Sequence, residues 1–241
     1  MEAGTDAGME AGTDAGTGTG TDSDASASTS KSGKRYRVAA LGDSLTEERF
    51  GGGKYLAWLR QRCPNSRFES LGEGGDMTNQ MRARFEGDLA AATARLKGEA
   101  FTDLVVLGGV NDLYSDLTAK RTPEKIERDL GTIYASARAR GLRVVAVTVA
   151  PWAGFTRYYN PGRGRATLEV NRWIRTQRGQ AADAVVDAYA ALGACQGTGA
   201  PEALDAALCP AFATPDGLHW TAAGHQRLGE ALHAAAFADC R

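Results

Sequence analysis

Five short strand-like runs, four of them mostly apolar, punctuate the chain: Tyr36 to Leu41, Phe68 to Leu71, Leu104 to Leu107, Leu142 to Val149 and Ala184 to Asp187. Their lengths and glycine-rich or polar flanks predict buried strands of a parallel sheet. Between them apolar residues recur every three or four positions, at Met81, Phe85, Leu89, Ala92 and Leu96, and at Ile126, Leu130, Ile133 and Ala137. These are the stripes of core-facing helices, the second opening behind the start signal Thr122-Pro123-Glu124. A third stripe, His225, Leu228, Leu232 and Ala235, predicts a final helix with His225 in the core and His233 solvated. Trp173 joins Val170 and Ile174 on another buried helix face. Alternation of strand and helix places residues 35–241 in the α/β class as one domain with a five-stranded parallel sheet.

Residues 1–34 follow another rule. They are built largely from Gly, Thr, Asp, Ala and Ser, and Met1–Gly8 repeats perfectly as Met9–Gly16. Such a segment buries too little apolar surface to offset its ordering entropy, so it reads as a disordered low-complexity tail or linker. Six of the 29 acidic residues, Glu2, Asp6, Glu10, Asp14, Asp22 and Asp24, precede the first basic residue. The remainder is mildly basic, which is no nucleic-acid footprint. No run is long and apolar enough to cross a membrane.

The polar residues that follow the predicted strands carry the chemistry. Gly42-Asp43-Ser44-Leu45-Thr46 follows the first, Gly74-Gly75-Asp76 the second and Gly109-Val110-Asn111-Asp112 the third, while Asp216 and His219 lie beyond the last. Open α/β sheets place ligand sites past the carboxyl ends of their strands. A serine hydroxyl needs an imidazole base, and that base needs a carboxylate to fix its tautomer. Of the three histidines, His219 has a carboxylate three residues away, so Asp216 can reach one ring nitrogen and Ser44 the other.

These four blocks resemble the SGNH/GDSL hydrolase family across residues 36–238. The resemblance implies a three-layer α/β/α flavodoxin-like sandwich and ester hydrolysis through an acyl-serine. It also implies catalytic Ser44, Asp216 and His219, and an oxyanion hole from the backbone N–H of Ser44 and Gly75 and the side chain of Asn111. The Gly-x-Ser-x-Gly elbow of α/β-hydrolases is not met, because Thr46 stands where its second glycine belongs. Asp43 either braces the loop after the nucleophile or caps a turn.

The four cysteines form no Cys-x-x-Cys, so a thiolate zinc site is not expected; the histidines lack the spacing of a metal motif, and the expected triad chemistry needs no cofactor. Cys195 and Cys209 bracket a loop ahead of Asp216, and Cys63 and Cys240 end the first and last predicted helices. The pairs 195–209 and 63–240 are expected as disulfides, implying a secreted or cell-envelope protein; four free thiols would imply the cytoplasm. The tail resembles the spacers that follow the lipid-modified cysteine of bacterial lipoproteins, although the chain opens without a basic and apolar leader.

Trp152, Phe155 and Tyr158 follow the fourth strand among Arg157, Arg163 and Arg165, and are the substrate-binding candidates; such aromatics also serve to cover a sheet edge. Gly51-Gly52-Gly53-Lys54 departs from a phosphate loop, since Tyr55 replaces its Ser or Thr, and reads as a mobile rim beside Ser44. The sequence thus points to a monomeric serine esterase of small-molecule, lipid or glycan esters. A non-catalytic glycan- or lipid-binding module and an acyltransferase are the alternatives.

Overall fold

The computed structural model describes residues 33–97, 99–193, 195 and 203–240, so the tail reading falls largely outside the described residues. Lys34, assigned to the tail, is part of the fold: its N–H donates to Asp239 O at 2.9 Å.

Five strands form one parallel sheet: β1 (Arg37–Gly42), β2 (Arg67–Gly72), β3 (Asp103–Leu107), β4 (Arg143–Val147) and β5 (Ala184–Val186). Their order is β2-β1-β3-β4-β5. Gly42 stands opposite Gly72 on one side and Leu107 on the other. This is the doubly wound order in which the strand order reverses between β1 and β3, opening a crevice at their carboxyl ends.

Seven helices complete the described fold: α1 (Lys54–Arg62), α2 (Thr78–Arg95), α3 (Val110–Tyr114), α4 (Pro123–Ala139), α5 (Pro161–Thr176), α6 (Ala188–Gly193) and α7 (Ala222–Leu232). Alternate strand residues face opposite layers, as the pleat requires. Ala39, Leu41, Leu104 and Val106 pack with Phe85, Ile126 and Ile133 of α2 and α4. Val38, Ala40, Val105 and Leu107 pack with Leu56, Leu59, Leu228 and Leu232 of α1 and α7. The result is the expected α/β/α sandwich.

Three expectations shift. The fourth strand ends at Val147 rather than Val149, because Asn171 binds both the N–H and C=O of Val149 (2.7 and 2.9 Å) and draws that residue out of the ladder. The last helix buries Ala236 and Phe237 instead of Ala235, since His233–Phe237 winds as a π turn whose wider pitch moves the buried face by a residue. Trp173 is only partly buried and stacks on Tyr134 at 6.0 Å. Both expected disulfides are present, Cys63–Cys240 and Cys195–Cys209. No helix among the described residues is long and apolar enough to cross a membrane.

Candidate active site

Ser44 sits in a tight turn immediately after β1. The Asp43 carbonyl accepts from the N–H of Thr46 and of Glu47, both at 3.0 Å, which folds the chain back and leaves Ser44 at the crevice. Its hydroxyl lies 3.0 Å from His219 Nε2. On the other side of the ring, His219 Nδ1 meets Asp216 Oδ2 at 2.6 Å. Asp216 Oδ1 also accepts the N–H of Leu218 and of His219 (2.9 Å each) and the Thr214 hydroxyl (2.8 Å). Partial burial works against ionisation of this carboxyl, but the His219 ring and these three donors outweigh it and hold it well below the usual carboxylate range. An ionised Asp216 fixes the proton on Nδ1 and leaves Nε2 able to accept the Ser44 proton. The hairpin that carries the pair needs a glycine: Gly217 has φ +74°, and a Cβ there would lie 2.2 Å from the Gly154 backbone.

Two backbone donors flank Ser44. Gly75, in the loop after β2, has φ +83°, and a Cβ there would meet open space. Among the described residues neither the Ser44 nor the Gly75 N–H has an acceptor. Asn111, in the first turn of α3, is buried and donates through Nδ2 to Asp76 O (2.8 Å) and Asp43 Oδ2 (3.2 Å), the residues next to Gly75 and Ser44 in the chain. An array of N–H groups around a hydroxyl that can lose its proton suits stabilisation of a developing oxyanion.

A family model described as GDSL-like lipase/acylhydrolase matches residues 40–227. The chain belongs to this family. No curated protein matches the sequence. Among solved structures, a lipase/acylhydrolase from Enterococcus faecalis shares 17% identity at a TM-score of 0.62, covering 82% of this chain and 93% of that one. A GDSL-like lipase from Bacteroides thetaiotaomicron shares 17% at 0.60, covering 83% and 86%. A variant of an acetyl-xylooligosaccharide esterase from Geobacillus stearmophilus shares 21% at 0.62, covering 84% and 94%. At these identities the likeness establishes the fold.

The GDSL turn is braced by Asp43, which is fully buried and accepts from Leu45 N–H at 3.0 Å as well as from Asn111. Burial pushes its carboxyl up to about 7, against the bond from Leu45. Two further residues escaped the sequence reading. Glu47, also buried, accepts Gly74 N–H at 2.8 Å and pairs with Arg49 at 2.7 Å, tying the Ser44 turn to the Gly75 turn. Arg84 of α2 donates to Gly42 O and Leu71 O (2.8 Å each) and to Asp76 Oδ2 (2.6 Å), joining the ends of β1 and β2 to the residue after Gly75.

The expected substrate wall divides. Trp152 is 1% exposed and donates its indole N–H to Thr167 at 2.9 Å, so it is a packing residue and offers no ring face to a ligand. Its ring joins the core layer that α5 covers and packs edge-on against Tyr159 at 5.0 Å. Phe155 and Tyr158 remain partly exposed and cluster with Tyr114 at centroid distances of 4.8–5.8 Å. A cleft of about 420 Å³ opens on the other side of Ser44, against His219, Trp220 and the Gly51–Lys54 rim. His225 forms part of its wall, buried as expected between Tyr55 and Trp220.

Proposed function

We propose that this protein is a serine ester hydrolase that cleaves carboxylic esters, acyl or O-acetyl, through an acyl-serine intermediate. The observation that carries the reading is the continuous chain from Ser44 Oγ through the His219 ring to Asp216, at 3.0 and 2.6 Å. Ser44 Oγ attacks the ester carbonyl while Nε2 takes its proton, and the imidazolium that forms is stabilised by Asp216. The carbonyl oxygen, now an alkoxide, receives the Ser44 and Gly75 amides, and Asn111 joins by releasing one of its two N–H bonds. As the tetrahedral centre collapses, Nε2–H protonates the leaving alcohol. Water then attacks the acyl-serine with His219 as base, freeing the acid and restoring the hydroxyl.

His219 and Asp216 keep 44% and 42% of their side-chain surface exposed, so water can reach the acyl-enzyme to complete hydrolysis. Two disulfides suit an oxidising compartment, which supports a secreted or envelope-bound protein. The test is hydrolysis of a short-chain and a long-chain aryl ester by the wild type beside Ser44→Ala. Turnover that disappears in the variant supports the reading; turnover that survives the substitution overturns it.

A further inference from the structure

Resting on the esterase reading, we infer that the alcohol half of the substrate carries an anionic group, a carboxylate or a phosphate, that pairs with Lys54. His219 must protonate the leaving oxygen, so the alcohol lies on the His219 side of Ser44, away from the donors that hold the carbonyl oxygen. The cleft of about 420 Å³ occupies that side: its wall includes Ser44 and His219 but neither Gly75 nor Asn111. This volume lies within the range of small-molecule sites.

The wall is almost uncharged. Leu45, Phe50 and Trp220 supply apolar surface, and Lys54 contributes the one ammonium, with no carboxylate in the lining. Nearby acids are already engaged. Glu47 is bound to Arg49 and Gly74 N–H, Glu48 holds Arg60 at 2.6 Å, and Asp216 holds His219. Among the described residues Lys54 has no ion-pair partner. It opens α1, whose first turn contains no acidic residue, so the positive end of the helix adds to its charge instead of being neutralised. Two buried side chains of the same wall, Trp220 and His225, hold polar atoms without partners, indole Nε1 and ring Nδ1. A cleft with apolar sides and one unpaired cation matches a ring or short chain ending in an anion. A neutral or cationic alcohol leaves that cation unanswered.

The experiment compares 4-acetoxybenzoate, 4-acetoxyphenyl phosphate and the neutral 4-acetoxybenzamide with wild type, Lys54→Gln, Lys54→Glu and Lys54→Arg. The ratio of kcat/KM for each anionic ester to the neutral one should fall about tenfold in Lys54→Gln, the order of one charged hydrogen bond partly screened by water. It should fall further in Lys54→Glu and recover in Lys54→Arg. The carboxylate and phosphate arms show which anion the site takes. A ratio unmoved by all three substitutions overturns the inference while leaving the esterase intact. Binding supplies a readout independent of turnover: Ser44→Ala should bind 4-hydroxybenzoate more tightly than 4-hydroxybenzamide, and Lys54→Gln in that background should abolish the difference. Equal binding of the two overturns the inference whether or not any ester is cleaved.

Discussion

Asn111 donates its side-chain N–H to the carboxyl of Asp43 at 3.2 Å, across the point where the strand order reverses between β1 and β3. The same carboxyl accepts from Leu45, so one buried group sets both the backbone after Ser44 and the amide that faces it. Burial raises Asp43 to about 7, above the value near 3.9 of an unfolded aspartate. The folded protein therefore holds this proton more tightly. The stability it contributes is full below about pH 4 and is lost as pH rises through 7.

Replacing Asp43 by Asn removes that loss. Relative to wild type, Asp43→Asn should gain up to about 4 kcal/mol between pH 4 and pH 8, read from urea denaturation at each pH. Catalysis should suffer, because the new amide presents a donor to the Asn111 donor and turns it away from the oxyanion site. A fall in kcat of about ten- to a hundredfold is expected, below the 10²–10³ typical for deleting an oxyanion donor outright. A stability difference that stays flat with pH contradicts this account.

His225 should show the opposite slope. Burial, aided by the positive charge of Lys54 and by His219, lowers its pKa to about 4. Its neutral form supports the fold fully above the unfolded value near 6.5, and that support is lost as pH falls through 4, on the order of 3 kcal/mol. His225→Phe keeps a ring against Tyr55 and Trp220 and removes the unpartnered Nδ1. The variant should match or exceed wild-type stability at pH 7 and lose about 3 kcal/mol less between pH 6.5 and pH 4. Identical acid sensitivity of the two proteins would sink the assignment.

These residues show how much of the molecule was legible in the chain. Strands buried on both faces are apolar almost throughout, so β1, β3, β4 and β5 stand out in the chain, while the edge strand β2, with Arg67, Glu69 and Ser70, is marked only by Phe68 and Leu71; in a parallel sheet their carboxyl ends mark one rim. Ser44, Gly75, Asn111, Asp216 and His219, each following a strand candidate, therefore read as one rim in the chain itself. Long-range partners left no such trace. Arg84 lies off the apolar stripe of α2 and reads as a solvated helix face until folding brings Gly42 and Leu71 carbonyls to it. Glu47 reads as a turn residue. Five residues are too few to display a helical period, so α3 has no signature in the chain, and the place of Trp152 does not reveal its burial, because a strand end can aim its next aromatic into the core as readily as onto the rim.

The disulfides give a thermodynamic prediction. The Cys63–Cys240 bond closes a separation of 177 residues and Cys195–Cys209 one of 14. In the chain-entropy model these restrict the unfolded chain by about 5 and about 3 kcal/mol. Cys63→Ser/Cys240→Ser should lose more stability than Cys195→Ser/Cys209→Ser, by roughly 2 kcal/mol in denaturant titrations. The reverse ranking would mean that the shorter bridge acts chiefly on the native loop ahead of Asp216. Thiol titration of the denatured, unreduced protein should find no free cysteine.

Arg84 offers the sharpest separation of positioning from packing. Its guanidinium reaches two carbonyls and the Asp76 carboxylate and also pairs with Asp88 at 2.5 Å, so its planar fork holds Gly42, Leu71 and Asp76 in a fixed relation. Ser44 and Gly75, the donors assigned to the oxyanion, lie within two residues of Gly42 and Asp76. A lysine keeps the charge but not the fork, so Arg84→Lys can satisfy only part of this set. An oxyanion donor acts on the transition state more than on bound substrate, so loosening these loops should reduce kcat and leave KM nearly unchanged. We expect kcat for a neutral aryl ester to fall by about ten- to a hundredfold at 25 °C, under conditions where denaturation curves show the variant fully folded. If Arg84 only anchors α2, the substitution will lower stability with kcat intact in the folded fraction. A rise in KM at constant kcat would instead place Arg84 in substrate binding.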